Sequence, residues 1–382
     1  MTEGHLQRRG KKSWRVKYEV GRDNNGRRQT RYITVRGTKR DAQKALINAL
    51  HAVEHGTHVD PTTVTVADYV RGWLAAPGDI TPKTAERYLQ LAEQQIIPHL
   101  GAIALQKLRP IQVKVWHATL LAQGGKDGRP LAARTVGHAH RVLHRALALA
   151  AESEIVARNV ASLVKPPKVE DEEVEILDAT HVAGVLKKIA DHSLYPVAAL
   201  SLATGLRRGE LCALQWRDLD LDAAALTVRR ALEETAAGLR FKMPKSRHGR
   251  RTVSLPLSAV AMLRDHRRKQ LEMRLSLGLG RQPDDALVFC RPDGLPLSPD
   301  NVSRDWRRLV VKRELPKVTF HALRHSHASA LIAAGLDVVS VSRRLGHGSP
   351  TVTLNVYAHL FRQTDTAAAE AIENAMRTGA DG

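Results

Sequence analysis

An acidic stretch that begins with two prolines divides the chain into two parts. The segment Pro166–Glu173 reads PPKVEDEE, which joins a stiff proline pair to a run of like charges without apolar periodicity. A segment of this kind has no apolar face to bury and is typical of a linker. We therefore predict a linker over residues 161–176. The 382 residues are enough for separate, well-buried domains on either side of it.

The part before the linker changes character near residue 60. Ser13–Val20 alternates apolar and polar residues, as half-buried strands do, and Arg27–Val35 reads as the returning strand. Thr38 is expected to cap a helix from about Lys39 to His55. Residues 1–58 are thus predicted to form a small sheet with one helix.

Residues 63–160 have helical periodicity only. Helices are predicted to start at Thr65, at Thr81-Pro82 and after Arg109-Pro110, where capping residues or an early proline precede apolar residues. A fourth helix is predicted from Ala132 to Ser153.

Residues 177–382 read as helices interrupted by a small sheet. The predicted strands are Leu226–Ala231, Arg240–Met243 and Arg251–Leu255. The last predicted helix, Thr366–Arg377, is amphipathic. The fold class expected for the whole chain is mainly α with small β-sheets, in several domains.

The charge of the chain favours a polyanionic partner. Lys and Arg total 59 against 39 Asp and Glu, and residues 1–60 alone contain 14 of the former and 6 of the latter. Neutralising DNA phosphates releases counterions and drives binding. A solvated basic surface is the alternative interpretation. The residues expected to contact DNA lie in the N-terminal part and in the fourth helix, which also contains His138, His140 and His144: Arg8, Arg9, Lys11, Lys12, Trp14, Arg15, Arg134, Arg141 and Arg145.

Other features limit where the protein acts. No segment is long and apolar enough to cross a membrane, and the N-terminus lacks the apolar core of a signal peptide, so we expect a cytoplasmic protein. Cys212 and Cys290 lie in apolar surroundings and are expected to be buried thiols. No Cys/His cluster has metal-ligand spacing, so no metal site is predicted.

Residues suited to bind an anion lie in the second half of the chain. Arg207 follows Gly205 at the start of a predicted helix, where its guanidinium would add to the positive end of the helix dipole. A surface arginine paired with Glu210 is the alternative. His321 and Arg324 are three residues apart and should share a helix face, whereas His325 is expected to point elsewhere.

Two further segments complete this set. In Leu345-Gly346-His347, the glycine is expected to end a helix and present His347. Tyr357 follows ten residues later. A free tyrosine has a pKa near 10 and is a poor nucleophile, so it needs positive neighbours and a proton acceptor. A tyrosine in a core is the commoner case, but the arginines and histidines together favour a reactive one.

These residues resemble the signature of the tyrosine recombinases of the phage integrase type. Thr204–Glu210 is similar to the first arginine box of that family, and His321–His325 to its HxLRH box. The family also has a lysine in a β-hairpin turn after the first arginine. Lys245 matches it, and Lys242, inside a predicted strand, is a weaker competitor.

The resemblance covers the whole chain and implies its domain organisation. Residues 1–58 resemble the arm-type DNA-binding domain, residues 63–160 the helical core-binding domain, and residues 177–382 the catalytic domain. It also implies the function, a site-specific recombinase or integrase that integrates, and also excises, a mobile element such as a phage. A phage, a plasmid and a conjugative element remain open as the carrier.

The resemblance further implies a role for each residue of the site. Tyr357 would attack a DNA phosphate and form a 3′-phosphotyrosyl link, while Arg207 and Arg324 clamp the phosphate oxygens. Lys245 would protonate the leaving 5′-oxygen. The remaining roles concern the residues around them: His321 would accept the tyrosine proton or bind the phosphate, His347 would bond the same phosphate, and Glu210 would orient its neighbours. No metal or other cofactor is required.

The partners implied are double-stranded DNA, at arm-type and core-type sites, and three further copies of the chain in a tetramer. An excisionase or a host DNA-bending factor is a further partner. The predicted last helix has an apolar face that would dock on its own domain or on a neighbouring protomer; it consists of Ala368, Ile372, Ala375 and Met376.

Two other functions compete with recombination. A type IB topoisomerase uses similar chemistry, but relaxation of supercoils needs no second DNA-binding module. A DNA-binding regulator with a degenerate site would lack the complete catalytic set. A suicide DNA substrate distinguishes the enzyme from the regulator, because only the enzyme becomes covalently attached.

Overall fold

The chain forms two compact units, Met1–Asp171 and Glu172–Gly382. The computed structural model describes residues 4–22, 25–56, 58–76, 78–170, 175–244 and 247–358, with residues 369, 372, 373 and 376 beyond them. The boundary between the units falls in the acidic stretch. No helix of the described residues is long and apolar enough to span a membrane.

The first unit begins with an antiparallel sheet and one helix. Its strands, in the order β1-β2-β3, are Gly4–Gly10, Ser13–Arg22 and Arg28–Arg36. Helix α1, Lys39–Glu54, starts with a capping box between Thr38 and Asp41. It covers the sheet face that buries Val16 and Tyr18.

Strand β1 is absent from the sequence-based prediction. The segment GHLQRRG contains a single apolar residue, Leu6, so it has no alternation to detect. The strand forms because it pairs with β2, where Leu6 lies opposite Val16. The tertiary contact therefore decides the structure of this segment.

The rest of the first unit is helical. Helices α2 to α6 are Val66–Ala75, Pro82–Leu91, Ile97–Leu100, Pro110–Gln123 and Ala133–Glu152. The structure confirms the predicted starts near Thr65, Pro82 and Pro110. Trp116 and Leu143 are buried in the common core of this part.

The helical core extends beyond α6. A short 3₁₀ turn at Val160–Leu163 follows it, and Ala161 and Val164 are buried in the same core. The linker predicted over residues 161–176 therefore begins too early, because these two small apolar residues pack against the helices. Leu177 already belongs to the core of the second unit.

The second unit combines helices with small sheets. Helices α7 to α14 are Ala179–Lys188, Tyr195–Thr204, Arg208–Cys212, Leu257–Ser276, Pro299–Lys312, Ala322–Ala333, Val338–Leu345 and Pro350–Tyr357. Strands β4 to β8 are Leu219–Asp220, Ala225–Val228, Ala231–Thr235, Gly238–Lys242 and Arg251–Ser254. Strands β4, β5 and β8 form one sheet and β6 and β7 a hairpin. Leu200, Leu211, Trp306 and Leu323 lie in the core between the helices.

The single strand predicted over Leu226–Ala231 is two strands. Strand β5 pairs with β4 and β8, whereas β6 pairs with β7. Arg229 and Arg230 lie between β5 and β6 and both pair with the buried carboxylate of Asp218. These ion pairs lie where the chain changes from one strand partner to the next. The alternation of apolar residues in the sequence does not reveal this change.

Most of the predicted last helix lies outside the described residues, including Ala368 and Ala375. Ile372 and Met376 are described, and both are helical and exposed. Cys212 is buried as expected, and Cys290 is partly exposed.

Candidate active site

Arg207 lies in the turn between α8 and α9. Gly205 ends α8 with a φ of +66°, and a Cβ there would approach the His327 ring to 2.6 Å, so glycine is required. The Arg207 backbone N–H and Nη1 each donate to the Glu210 carboxylate at 2.9 Å, and Nη2 donates to the Gly346 carbonyl at 3.1 Å. The side chain remains 41% exposed, so it can also meet a ligand from solvent.

Arg324 lies in α12 and is only 3% exposed. Its Nη1 donates to the Gly205 carbonyl at 2.6 Å and its Nη2 to the Leu345 carbonyl at 2.8 Å. Burial lowers the pKa of its guanidinium to about 9, which leaves it charged at neutral pH. Both arginines therefore contact the end of α13, where Gly346 has a φ of +68°.

His347 and His321 lie beside these arginines. His347 follows Gly346, and its Nδ1 is 2.8 Å from the Thr353 hydroxyl. Burial, together with the charges of Arg324 and Arg207, lowers the pKa of His347 to about 4. Burial, His325 and the same two arginines lower the pKa of His321 to about 4 as well. Both imidazoles are therefore neutral at physiological pH.

Tyr357 is the last residue of α14 and is 4% exposed. Its ring packs with Ala328, Val341 and Leu345 in a small apolar cluster. Burial raises the pKa of its hydroxyl to about 12, and the charge of Arg324 opposes that rise. The phenol is therefore protonated at neutral pH and needs a proton acceptor before it can react.

His325 is the imidazole that contacts this hydroxyl. The Tyr357 oxygen lies 2.7 Å from Nδ1 of His325, and the His321 ring packs edge-on against His325 at 4.9 Å. The prediction that His325 points elsewhere is wrong. Residues four apart share a helix face, so the pairing of His321 with His325 was the signal available in the sequence.

The two candidate lysines differ in what the structure describes. Lys245 lies outside the described residues. Lys242 ends β7, and its ammonium group pairs with the Glu233 carboxylate, which also pairs with Arg240 at 2.8 Å.

A buried arginine that the sequence does not single out completes the site. Arg251, at the start of β8, donates from Nη2 to Glu210 at 3.0 Å and is 6% exposed. No local motif marks it, because its partner is 41 residues away in the chain. Glu210 thus lies between two arginines.

The residues predicted to contact DNA in the N-terminal part differ in how they are placed. Arg8, Arg9, Lys11 and Lys12 are exposed. The Trp14 side chain instead packs against the α1 side of the sheet, so its position does not favour a DNA contact. Strand residues alternate in direction, which is why neighbours in sequence separate in space.

The open face of that sheet presents a different set. The Arg15 guanidinium lies 4.3 Å from the centre of the Tyr32 ring, and Lys17 is opposite Tyr32 in the register of β2 and β3. Tyr32 is exposed although it is aromatic. Lys17 and Tyr32 are not among the predicted contacts, although the alternation of β2 and β3 places them on this face.

Helix α6 also separates the residues predicted on it. Arg134, Arg141 and Arg145 are exposed. His140, grouped with them in the sequence, is buried and lies 3.1 Å from His117. His140 therefore does not belong to a DNA-facing surface of this helix, because the helix turns it into the core. Among the described residues no group of three or more His, Cys, Asp or Glu side chains could hold a metal ion.

Two family models match the chain. One, described as the phage integrase family, matches residues 169–364, and one described as the N-terminal SAM-like domain of phage integrase matches residues 65–121. A XerC-like tyrosine recombinase of Caldanaerobacter subterraneus subsp. tengcongensis is 26% identical over 96% of this chain and 97% of its own. An integrase of Mycobacterium phage L5 is 27% identical over 89% of this chain and 90% of its own.

Solved structures share the fold. A Tn1549 transposon integrase in complex with a circular intermediate DNA has a TM-score of 0.68 at 23% identity, over 81% of this chain and 99% of that one. A lambda integrase, solved as a tetramer bound to a Holliday junction, has a TM-score of 0.57 at 19% identity, over 94% of this chain and 96% of that one.

Proposed function

The chain belongs to the phage integrase family and is a site-specific tyrosine recombinase, and we propose on this premise that Tyr357 is its nucleophile. The tyrosine oxygen bonds to a DNA phosphorus while the bond to the 5′-oxygen breaks. This leaves a 3′-phosphotyrosyl link and a free 5′-hydroxyl. A 5′-hydroxyl of the partner strand then attacks that link and releases Tyr357. Each step exchanges one phosphoester for another, so it needs no ATP.

The contact between Tyr357 and His325 is the observation that supports this proposal most. His325 is neutral because burial and Arg324 lower its pKa below the usual 6.5. With Nδ1 unprotonated, it accepts the hydrogen bond of the tyrosine hydroxyl at 2.7 Å and then its proton. The proton-acceptor role expected of His321 therefore passes to His325, and His321 binds the phosphate.

The two arginines bind the phosphate oxygens. Arg207 and Arg324 are both charged, and a guanidinium offers paired donors that fit a phosphate. They stabilise the negative charge of the pentacoordinate transition state. His347, neutral and beside both, donates a further hydrogen bond to the same phosphate. Glu210 orients Arg207 through the bonds described above.

A lysine supplies the second proton. We assign Lys245 as the general acid that protonates the leaving 5′-oxygen. Lys242 is the weaker candidate because the Glu233 carboxylate already holds its ammonium group. None of these steps requires a metal or another cofactor.

Two surfaces of the first unit are suited to bind DNA. On the N-terminal sheet, the open face with Arg15, Lys17 and Tyr32 and the exposed Arg8, Arg9, Lys11 and Lys12 bind the arm-type site. In helix α6, Arg134, Arg141 and Arg145 face the core-type site. In this assignment residues 1–58 are the arm-binding domain and residues 63–160 the core-binding domain, whose packed core continues to Val164.

The assembly follows from the reaction. Exchange of two duplexes breaks four strands, so four protomers act together on paired DNA sites, as in the lambda integrase tetramer on its Holliday junction. An excisionase or a host DNA-bending factor sets the direction of integration or excision. The enzyme acts in the bacterial cytoplasm, where its DNA substrate lies.

Recombination between two plasmids tests this function. One plasmid carries the DNA that flanks the gene and the other the matching host site. We expect recombinant plasmids without ATP and none with Tyr357→Phe. Relaxation of supercoils on any plasmid without recombination would favour a topoisomerase, and DNA binding without strand cleavage a regulator.

A further inference from the structure

The Glu210 carboxylate is shared by two arginines. Arg207 reaches it from its backbone N–H and from Nη1, and Arg251 reaches it from Nη2 at 3.0 Å and Nη1 at 3.3 Å. Glu210 is 5% exposed and Arg251 6% exposed, so water screens their interaction very little. Arg207 is the only one of the three that reaches solvent substantially.

This arrangement preserves the charge of Arg207. A buried carboxylate paired with Arg207 alone would cancel the positive charge meant for the phosphate. With Arg251 on the other side, the three groups together carry one positive charge. Burial tends to raise the pKa of Glu210, but the bond and charge of Arg251, with those of Arg207, hold it below its usual value. Glu210 therefore stays ionised and both arginines stay paired.

Arg251 also fixes the backbone around the site. Its Nε donates to the Arg344 carbonyl at 2.7 Å, in the last turn of α13. A Cβ on Gly346 would come within 2.7 Å of Arg251 Nη1, so the two groups are closely packed. The carbonyl of that same Gly346 accepts from Arg207 at 3.1 Å. Arg251 thus binds one of the groups that Arg207 binds, the Glu210 carboxylate, and packs close to the residue that supplies the other, Gly346.

We infer that Arg251 is a positioning residue for the phosphate clamp: it holds Glu210 and the end of α13 so that Arg207 is oriented without losing its net charge. This inference rests on the proposed role of Arg207 in binding the scissile phosphate. It assigns no contact between Arg251 and DNA, because its side chain is buried behind Glu210.

Substrate charge provides the test. Single-turnover cleavage is measured with the full-length protein on a suicide substrate that has either a normal phosphate or a neutral methylphosphonate at the scissile position. On the phosphate we expect Arg251→Gln to cleave about a hundredfold more slowly than wild type, with DNA binding unchanged. On the methylphosphonate the difference in cleavage rate between wild type and Arg251→Gln should shrink to a few-fold, because the transition state carries less charge to stabilise. The same ratio of wild-type to variant rate on both substrates contradicts the inference.

A double variant tests the direction in which the cleavage rate changes. In Arg251→Gln, the negative charge of Glu210 cancels the positive charge of Arg207. Glu210→Gln removes that carboxylate yet keeps a side chain that can cap the helix. The double variant Glu210→Gln with Arg251→Gln should therefore cleave the phosphate faster than Arg251→Gln alone. If the double variant is slower, Arg251 does not act through Glu210.

Arg344→Gln is the matched control. Arg344 is a partly buried arginine of the same region that donates to His327 and to the Ala203 and Ser254 carbonyls, and it has no contact with Glu210. We expect it to lower the melting temperature but to show the same relative rate on both substrates. Failure of wild type to form any adduct would refute the proposed function instead, so the two failures are distinguishable.

Discussion

At the scale of single residues, Tyr357 and His325 define how the proposed reaction starts. The phenol has a pKa of about 12 because it is buried, so direct ionisation at neutral pH is unfavourable. The adjacent imidazole is neutral for the same physical reason, since burial disfavours its charged form. The same burial thus makes the phenol dependent on a base and keeps that base ready to accept a proton.

The pH dependence of cleavage should report His325. A proton acceptor must be neutral, and burial and Arg324 lower the pKa of His325, so the acid limb of the wild-type rate should lie at a lower pH than the pKa of a free imidazole. His325→Gln should cleave about a hundredfold more slowly and lose this acid limb, measured by single-turnover cleavage between about pH 5 and 8. His321→Gln, the control, should keep the limb. An unchanged profile in His325→Gln would refute its role as base.

The identity of the general acid can be settled with a modified leaving group. Lys245→Ala should cleave normal DNA at least about a hundredfold more slowly but be largely rescued when the 5′-bridging oxygen is sulfur, which leaves without a proton. Lys242→Ala is the comparison, since its ammonium group is paired with Glu233. Rescue of Lys242→Ala and not of Lys245→Ala would mean that the wrong lysine was chosen.

Motifs made of neighbouring residues could be read from the sequence, whereas contacts between distant segments could not. Arg207, His321, Arg324 and His347 are recognisable because each lies in a short box near a helix start or stop, and Tyr357 because it follows His347 by ten residues. The His325 contact with Tyr357 spans 32 residues and the Arg251 contact with Glu210 spans 41, so only the folded chain brings them together.

At the scale of elements, signals within one turn could also be read from the sequence, whereas strand pairing could not. Helix starts at Thr38, Thr65 and Pro110 follow from capping residues and early prolines, which act within one turn. Strand β1 and the break between β5 and β6 depend on which segment pairs with which. Local pattern does not determine pairing, so these elements differ from the prediction.

The open face of the N-terminal sheet should bind DNA independently of the active site. Arg15→Ala should lower the affinity for the arm-type site by about tenfold, because one phosphate contact is lost. The slope of log affinity against log salt concentration should become shallower by about one. Gel-shift titrations at several salt concentrations measure both. Cleavage of a core-type suicide substrate serves as the control and should not change.

Removal of the whole N-terminal sheet and helix α1 tests whether this part of the chain is required. A chain that starts near residue 60 should lose arm-type binding and recombination on full sites. Unchanged recombination by that chain would mean that the module is not required.

For the whole molecule, the proposed tetramer raises the question of how its four protomers coordinate. If two of the four strands are cut at a time in the proposed tetramer, the reactivity of one Tyr357 must depend on its neighbours. Only residues 358–365 separate Tyr357 from the predicted helix Thr366–Arg377. An apolar helix face that docks on the next protomer would provide this dependence.

Truncation after Thr364 tests this coupling. The shortened protein should bind a single site normally, because the proposed DNA-binding surfaces lie in the first unit and around the active site. It should form fewer tetramers on paired sites and recombine about tenfold or more slowly, since a loss of roughly 1.4 kcal/mol in assembly has that effect. Light scattering on DNA and recombination assays give the two readouts. Normal tetramers and a normal rate would contradict docking between protomers.

The most direct test of the central claim is identification of the residue that becomes attached to DNA. The full-length protein is incubated with a suicide substrate, digested, and the DNA-linked peptide is sequenced by mass spectrometry. We predict a 3′-phosphotyrosyl bond on the peptide that contains Tyr357, no adduct with Tyr357→Phe, and unchanged DNA binding by that variant. Attachment at any other residue, or an undiminished adduct with Tyr357→Phe, would show that the nucleophile and the site built around it are wrong.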